Sequence, residues 1–202
     1  SDVYKRQHRE VSVRTLLVDR VVNLLDEGVD VAVRIGALPD SSLTAVPVGQ
    51  VRRVVCAAPG FLRQHGEPKD LDALPRFCTI TAAMEGRGTQ WRFQQDGQVR
   101  RLSVDSQLTV TSFQAAVLAA CEEWGLTQVV SYQVARHLAS GALQVVLRDF
   151  ELPPMPVHVV YPEGRKSSAK VRSFVDFCVD ALRRDPVSYT HLTLPTILTC
   201  RS

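Results

Sequence analysis

The sequence predicts an α/β protein built as two lobes, and three features carry that expectation. Apolar, β-branched runs alternate with amphipathic helical stretches that end at glycines, the rhythm of strand–helix–strand units. That rhythm runs from Val11 to Ile35 and starts again from Leu108 to Leu147, with a hairpin-like stretch between. A strand at Val157 to Tyr161 and a long amphipathic helix at Ser168 to Arg184 then read as a return to the first lobe.

Element by element, Val11 to Val18 (VSVRTLLV) predicts a buried strand. Asp19 caps a helix over Arg20 to Glu27, whose apolar side holds Val21, Val22, Leu24 and Leu25, and Gly28 is its stop. Val29 to Ile35 returns as a strand parallel to the first. Leu38-Pro39-Asp40-Ser41 is a turn with proline second. Strands at Leu43 to Val48 and Gln50 to Ala57 follow, then a short helix opened by Pro59 and ended by Gly66. Leu71 to Leu74 adds a helical turn, Phe77 to Thr81 a strand and Met84 to Gly88 a loop. Asp96-Gly97, between Trp91 to Phe93 and Val99 to Val104, signals a hairpin. After a strand at Leu108 to Val110, Thr111 or Ser112 caps a helix over Phe113 to Trp124; with Thr111 as the cap, Gln114 completes a capping box. Gly125 ends that helix before the strand Leu126 to Val130. Ser131 caps Tyr132 to Ala139, which stops near Gly141, and Leu143 to Leu147 is a strand. The last helix has Val171, Phe174, Val175, Phe177, Cys178 and Leu182 at helical spacing.

At 202 residues, 45% hydrophobic and 22% charged, the chain has the length and composition of one substantial globular domain or two small lobes. No apolar run approaches the ~20 residues of a membrane span. Ser1 to Glu10 lacks the apolar segment of an export signal, so a cytoplasmic location is expected. The cysteines (Cys56, Cys78, Cys121, Cys178 and Cys200) are odd in number and have no metal-ligand spacing, which predicts buried free thiols in a reducing compartment.

Both ends differ from the rest. SYTHLTLPTILTC, from Ser188, has four threonines and no charge, and SDVYKRQ at the start is unrelated to the strand after it. Both resemble translated linker sequence and are set aside as foreign, the alternative being an ordinary tail or an extra edge strand. Asp2, Lys5, Arg6 and Arg201 give these ends +2 of the formal +3, leaving +1 for the core. A near-neutral core has no electrostatic footprint for nucleic acid.

Several stretches together resemble the effector-binding domain of LysR-type transcriptional regulators. DRVVNLLDEGVDVAVRIGALPDSSLTA is similar to the first-lobe signature, and VRRVVCAAPGFLRQHGEP to the next strand and helix. AAVLAACEEWGLTQVVSYQVARHLASGALQVVL and PPMPVHVVYPEGRKSSAKVRSFVDFCVDAL resemble the second lobe and the return. The resemblance covers Val11 to Leu182 in collinear order. It implies an α/β, two-lobed periplasmic-binding-protein-like (type 2) fold with an interlobe cleft. It also implies that the first strand and helix of lobe one, and the DNA-binding winged helix-turn-helix, are missing from this stretch. The expected organisation is a foreign leader and lead-in over 1–10, lobe one over 11–78, a hinge strand at 79–81, lobe two over 82–152, the return over 153–186 and a foreign tail over 187–202.

The resemblance puts a small organic effector, with a carboxylate as one option, in the cleft at strand ends and helix starts. The expected lining is Val18, Asp19, Arg34, Ile35 and Gly36 from lobe one, Thr111, Ser112, Phe113, Ser131 and Tyr132 from lobe two, and Thr79 and Thr81 from the hinge. Thr111 and Ser112 precede a helix N-terminus, whose free N–H groups suit a carboxylate, although a purely structural cap is an equal reading. Arg34 ends an apolar strand and either holds an effector anion or pairs with Asp30 or Asp40. Asp19 is foremost a helix cap, and Phe113 and Tyr132 are foremost packing residues. His158 alternates with valines and reads as an ordinary strand histidine. The resemblance further implies a homo-oligomer, DNA contact through a domain outside this stretch, and no cofactor, metal or membrane partner. A solute-binding receptor of the same fold is the alternative. An enzyme is less favoured: no HExxH, GxSxG, phosphate loop or dinucleotide fingerprint occurs.

Overall fold

The computed structural model describes residues 12–17, 23–38, 42–83, 90–164, 168–184 and 196–201. The first elements are β1 (Ser12–Leu17), β2 (Val31–Ile35), β3 (Leu43–Val51), β4 (Arg53–Ala57), α1 (Pro59–His65) and β5 (Thr79–Ala82). Then come β6 (Gln90–Gln95), β7 (Gln98–Ser103), β8 (Leu108–Val110), α2 (Phe113–Cys121), β9 (Leu126–Val130) and α3 (Ser131–Ala139). The last are β10 (Gln144–Val146), β11 (Met155–Pro162), α4 (Ala169–Arg184) and β12 (Thr196–Arg201). Contacts divide the chain into two units, Ser1–Val51 with Met155–Ser202, and Arg52–Pro154.

The first unit is a five-stranded sheet in the order β1-β12-β2-β11-β3. Its centre is the valine-rich β2 and β11, with Val31, Val157, Val159 and Val160 fully buried. The α4 helix packs on β3 and β11. It buries Val171, Phe174, Val175, Cys178 and Leu182 as the spacing predicts, with Val179 added and Phe177 only half-buried. Ahead of β2, Gly28 (φ 64°) closes a Schellman motif: Val29 N–H donates to Leu24 O at 2.8 Å and Gly28 N–H to Leu25 O at 3.2 Å. Leu24 and Val29 share a buried cluster, the apolar contact of that motif. Pro47 lies in β3, an edge strand, where the pairing with β11 shifts register, which suits a residue without an N–H.

One expectation for this unit is corrected. β1 and β2 are not paired. Each is antiparallel to β12, so they run the same way with β12 between them. Residues 196–201, which composition sets apart, therefore supply an interior strand.

The second unit is a mixed sheet in the order β10-β4-β9-β5-β8. β5 is parallel to both β8 and β9, and β4 is antiparallel to β9 and β10. Alternation along β4 feeds two core layers. Val55 and Ala57 join Phe61, Leu74, Trp91, Phe93 and Leu126 on one face. Val54 and Cys56 join Ile80, Ala116, Val117 and Val134 on the other. The β6–β7 hairpin turns at Asp96 (φ 51°) and Gly97 (φ 75°), both left-handed as a two-residue hairpin turn requires.

The boundary between units is also corrected. The expected hinge strand at Thr79–Thr81 is the middle of the second unit's parallel strands, and β4 and α1 belong to this unit. The chain crosses instead at Val51/Arg52 and Pro154/Met155. The sequence reads two strands here parted at Gly49, whereas the break falls at the single exposed Arg52.

Smaller corrections concern helix ends. The α2 helix stops at Cys121, and Glu123 (φ 65°), not Gly125, takes the left-handed stop position, with Trp124 N–H donating to Ala119 O at 3.2 Å. Ser112 is its cap, so the Thr111–Gln114 capping box does not form. Ser131 is the first residue of α3 and not its cap; Gln133 Oε1 accepts from Val130 N–H at 2.9 Å. The helical turn expected at Leu71–Leu74 is a single 3-10 turn at Leu74–Arg76. Val18, Asp19 with the start of its helix, the Pro39–Ser41 turn and the Met84–Gly88 loop lie outside the described residues.

Candidate functional site

In the second unit, β8, β5 and β9 are parallel, so their C-terminal ends share one edge. Two helices start there. Ser112 follows β8 and caps α2, its Oγ accepting from Ala115 N–H at 3.4 Å. Ser131 follows β9 and opens α3. Thus Thr111, Ser112, Phe113, Ser131 and Tyr132 come together at one edge, with Thr111 and Ser112 exposed and Tyr132 buried. Strand C-termini beside helix N-termini are where open α/β sheets bind ligands. Phe113 packs into the α2–α3 core, consistent with its packing role.

The same edge carries a clamp absent from the sequence reading. Ser131 N–H donates to Arg52 O at 2.7 Å, and Arg52 N–H donates to Ser131 Oγ at 3.1 Å. Ser131's hydroxyl therefore holds the strand entry rather than capping a helix. The Arg52 guanidinium meets Glu151 at 3.5 Å, a long contact exposed on the arginine side and largely buried on the glutamate side.

Thr79 does not join this edge. It begins β5, opposite Leu126 at the start of β9, and so lies at the other end of the strand. Its N–H donates to Gln107 Oε1 at 2.7 Å and its hydroxyl to Ser106 Oγ at 3.2 Å. Thr81 Oγ1 bonds Ser106 Oγ at 2.5 Å and accepts from Trp91 Nε1 at 3.2 Å. Both threonines are buried in this network, which ties the hairpin to β5. Their polar groups are matched within the protein.

In the first unit, Arg34, Ile35 and Gly36 end β2 and are half-buried. Gly36 (φ 104°) donates its N–H to Pro156 O at 2.8 Å, which extends the β2–β11 pairing past the strand end. Arg34 and Asp30 both have interaction partners. His158 stands opposite Arg34, and its buried Nδ1 has no hydrogen-bond partner among the described residues.

Of the cysteines, Cys56 and Cys178 are buried, Cys121 is half-buried and Cys78 is exposed, so the buried expectation fails at Cys78. Burial pushes the Cys56 thiol up to about 12. Burial, then the Glu122 carboxylate, raises that of Cys121, whose Sγ lies 3.3 Å from His137 Nδ1. Among the described residues no cluster could hold a metal ion, and no helix is long and apolar enough to cross a membrane.

A family model described as the LysR substrate binding domain matches residues 2–183. An HTH-type transcriptional regulator of Xanthomonas campestris is 32% identical over 189 residues, 90% of this chain and 54% of its own length. The HTH-type transcriptional regulator DmlR of Escherichia coli is 30% identical over 85% of this chain and 56% of its own length. The chain thus spans about half the length of these curated relatives. The CrgA regulatory domain from Neisseria meningitidis, described as a LysR-type transcriptional regulator, superposes with a TM-score of 0.76 at 23% identity, over 90% of this chain and 89% of that one. Full-length AphB of Vibrio cholerae gives 0.76 at 21% identity, over 89% of this chain and 61% of that one. These likenesses show the two-lobed type 2 periplasmic-binding-protein-like α/β fold.

Proposed function

The chain belongs to the LysR substrate binding domain family, and on that premise we propose that it senses a small organic effector on behalf of a transcriptional regulator. DNA would be contacted by a part of the protein outside this chain, and the assembly would be a homo-oligomer in the cytoplasm. No catalysis is assigned to it.

The observation that carries the sensing role is the edge where Ser112 and Ser131 bring two helix N-termini together. Free N–H groups and the positive ends of two helices suit a carboxylate. The effector acts by binding one arrangement of the oligomer more tightly than another and so shifts their populations.

The test is a thermal-shift screen of the whole chain against small organic acids and their amides, with calorimetry on any hit. Binding that weakens in Ser112→Ala supports the site. Unchanged affinity removes Ser112 from it, and a chain that responds to no compound counts against sensing.

A further inference from the structure

We infer that the second unit carries a further small-molecule site, a cavity between the segment 71–77 and β7, fitted to a small primary amine with an apolar body. This site is separate from the effector edge. It includes Thr79 at the start of β5, whereas α2 and α3 begin past the C-terminal ends of β8 and β9.

The cavity holds about 280 Å³, near the low end of the roughly 300–1,000 Å³ of small-molecule sites. Its apolar lining comes from Leu71, Leu74 and Phe77 in one stretch of chain and from Leu102 and Val104 in another. All five belong to, or pack on, the core that holds Trp91 and Phe93. Leu71, Leu74 and Val104 are buried, but Phe77 and Leu102 are only half-buried. The core therefore opens here into a void that no side chain fills, which close-packed interiors seldom leave.

Hydrogen bonds hold the surrounding chain in place. Asp72 Oδ1 accepts from Arg100 Nη2 at 2.6 Å, which joins the segment 71–77 to β7. Gln107 Oε1 accepts from Thr79 N–H at 2.7 Å, which joins the start of β5 to the run into β8. Asp70 Oδ1 accepts from Ala73 N–H at 2.8 Å and shapes the turn that carries Asp72. Arg100 also donates to Gln95 Oε1 at 2.7 Å. None of these bonds needs a ligand, so the cavity is organised in advance and little ordering is left for binding to supply.

The polar lining selects the charge. Its ionised groups are Asp72, Arg100 and Asp105, two carboxylates to one guanidinium. Arg100 is already matched by Asp72, so an anion gains little from it. Asp105 has neither a hydrogen bond nor an ion pair among the described residues. Ser103, also in the lining, adds a hydroxyl that can accept. An ammonium group at Asp105 gains a charge-assisted hydrogen bond, while the apolar body of the amine covers Phe77 and Leu102. A solvated surface aspartate would account for Asp105 alone, but not for the apolar cavity that it lines.

Heteronuclear NMR titration of the whole chain with phenethylamine tests the site, against uncharged phenethyl alcohol and anionic phenylacetate at equal pH and ionic strength. Phenethylamine is expected to bind saturably and to shift the amide signals of Thr79 and of Leu102 to Asp105. The alcohol should bind about tenfold more weakly, and phenylacetate not at all. Asp105→Asn should weaken phenethylamine about tenfold and leave the thermal midpoint unchanged, since the side chain is exposed. Ser112→Ala should bind phenethylamine as the parent chain does. No saturable shift at these residues, equal affinity for the three compounds, or unchanged affinity in Asp105→Asn overturns the site. Loss of phenethylamine binding in Ser112→Ala places the amine at the effector edge and overturns it too.

Discussion

Gly125 lies so close to the carbonyl of Cys78 that a β-carbon on it would overlap the oxygen. The next residue, Leu126, donates its N–H to the same carbonyl at 2.9 Å, where β9 joins β5. Gly125→Ala must part the two strands at the start of their pairing. A loss of about 3 kcal/mol is expected in urea unfolding; a loss below about 1 kcal/mol would show that the loop yields.

Gly28 occupies the left-handed position of the Schellman motif before β2, and open space surrounds it. Gly28→Ala should therefore cost only the backbone term, about 1 kcal/mol. A much larger loss in thermal unfolding would mean that Leu24 and Val29 no longer meet.

Gln128→Leu keeps the volume and removes both bonds to Arg92. Two backbone groups lose their partners, with an expected loss of about 2 kcal/mol.

Cys56 gives a pH signature. Its thiol titrates near 9.0 when unperturbed but at about 12 in the fold. Between these values the unfolded chain has lost the proton that the folded chain keeps, so stability falls as pH rises. The slope from this one group reaches about 1.4 kcal/mol per pH unit. Cys56→Ala should flatten the alkaline limb of a stability–pH curve; equal slopes in the two proteins would contradict the burial.

Ser112→Ala removes one long cap bond from α2, 3.4 Å in length. The stability cost should sit near the low end for caps, about 0.5 kcal/mol. A large loss in thermal unfolding would make Ser112 a structural residue first.

Local chemistry was legible in the sequence wherever one residue forces one geometry. Asp96-Gly97 marked the hairpin, Pro59 and Gly66 bounded α1, and Gly28 stopped a turn, because each meets a backbone demand that few other residues satisfy. Helix ends misled where an unusual residue did the work: Glu123 takes a left-handed position usually held by glycine, and Gly125 serves close packing instead. The unit boundary was hidden because β3 and β4 are both apolar strands parted by one residue. Gln128 and Arg92 are far apart in sequence, and no local signal marks the two hydrogen bonds that join them.

The interior position of β12 ties the first described strand to the last. β1 is held in this sheet only by residues 196–201, whereas β2 also pairs with β11, so β1 joins only once that strand is in place. Until then β1 and β2 each show an open edge, and both run in the same direction. A nascent or clipped chain is therefore free to join those edges directly as a parallel pair, a second register for the same strands, or to recruit another chain.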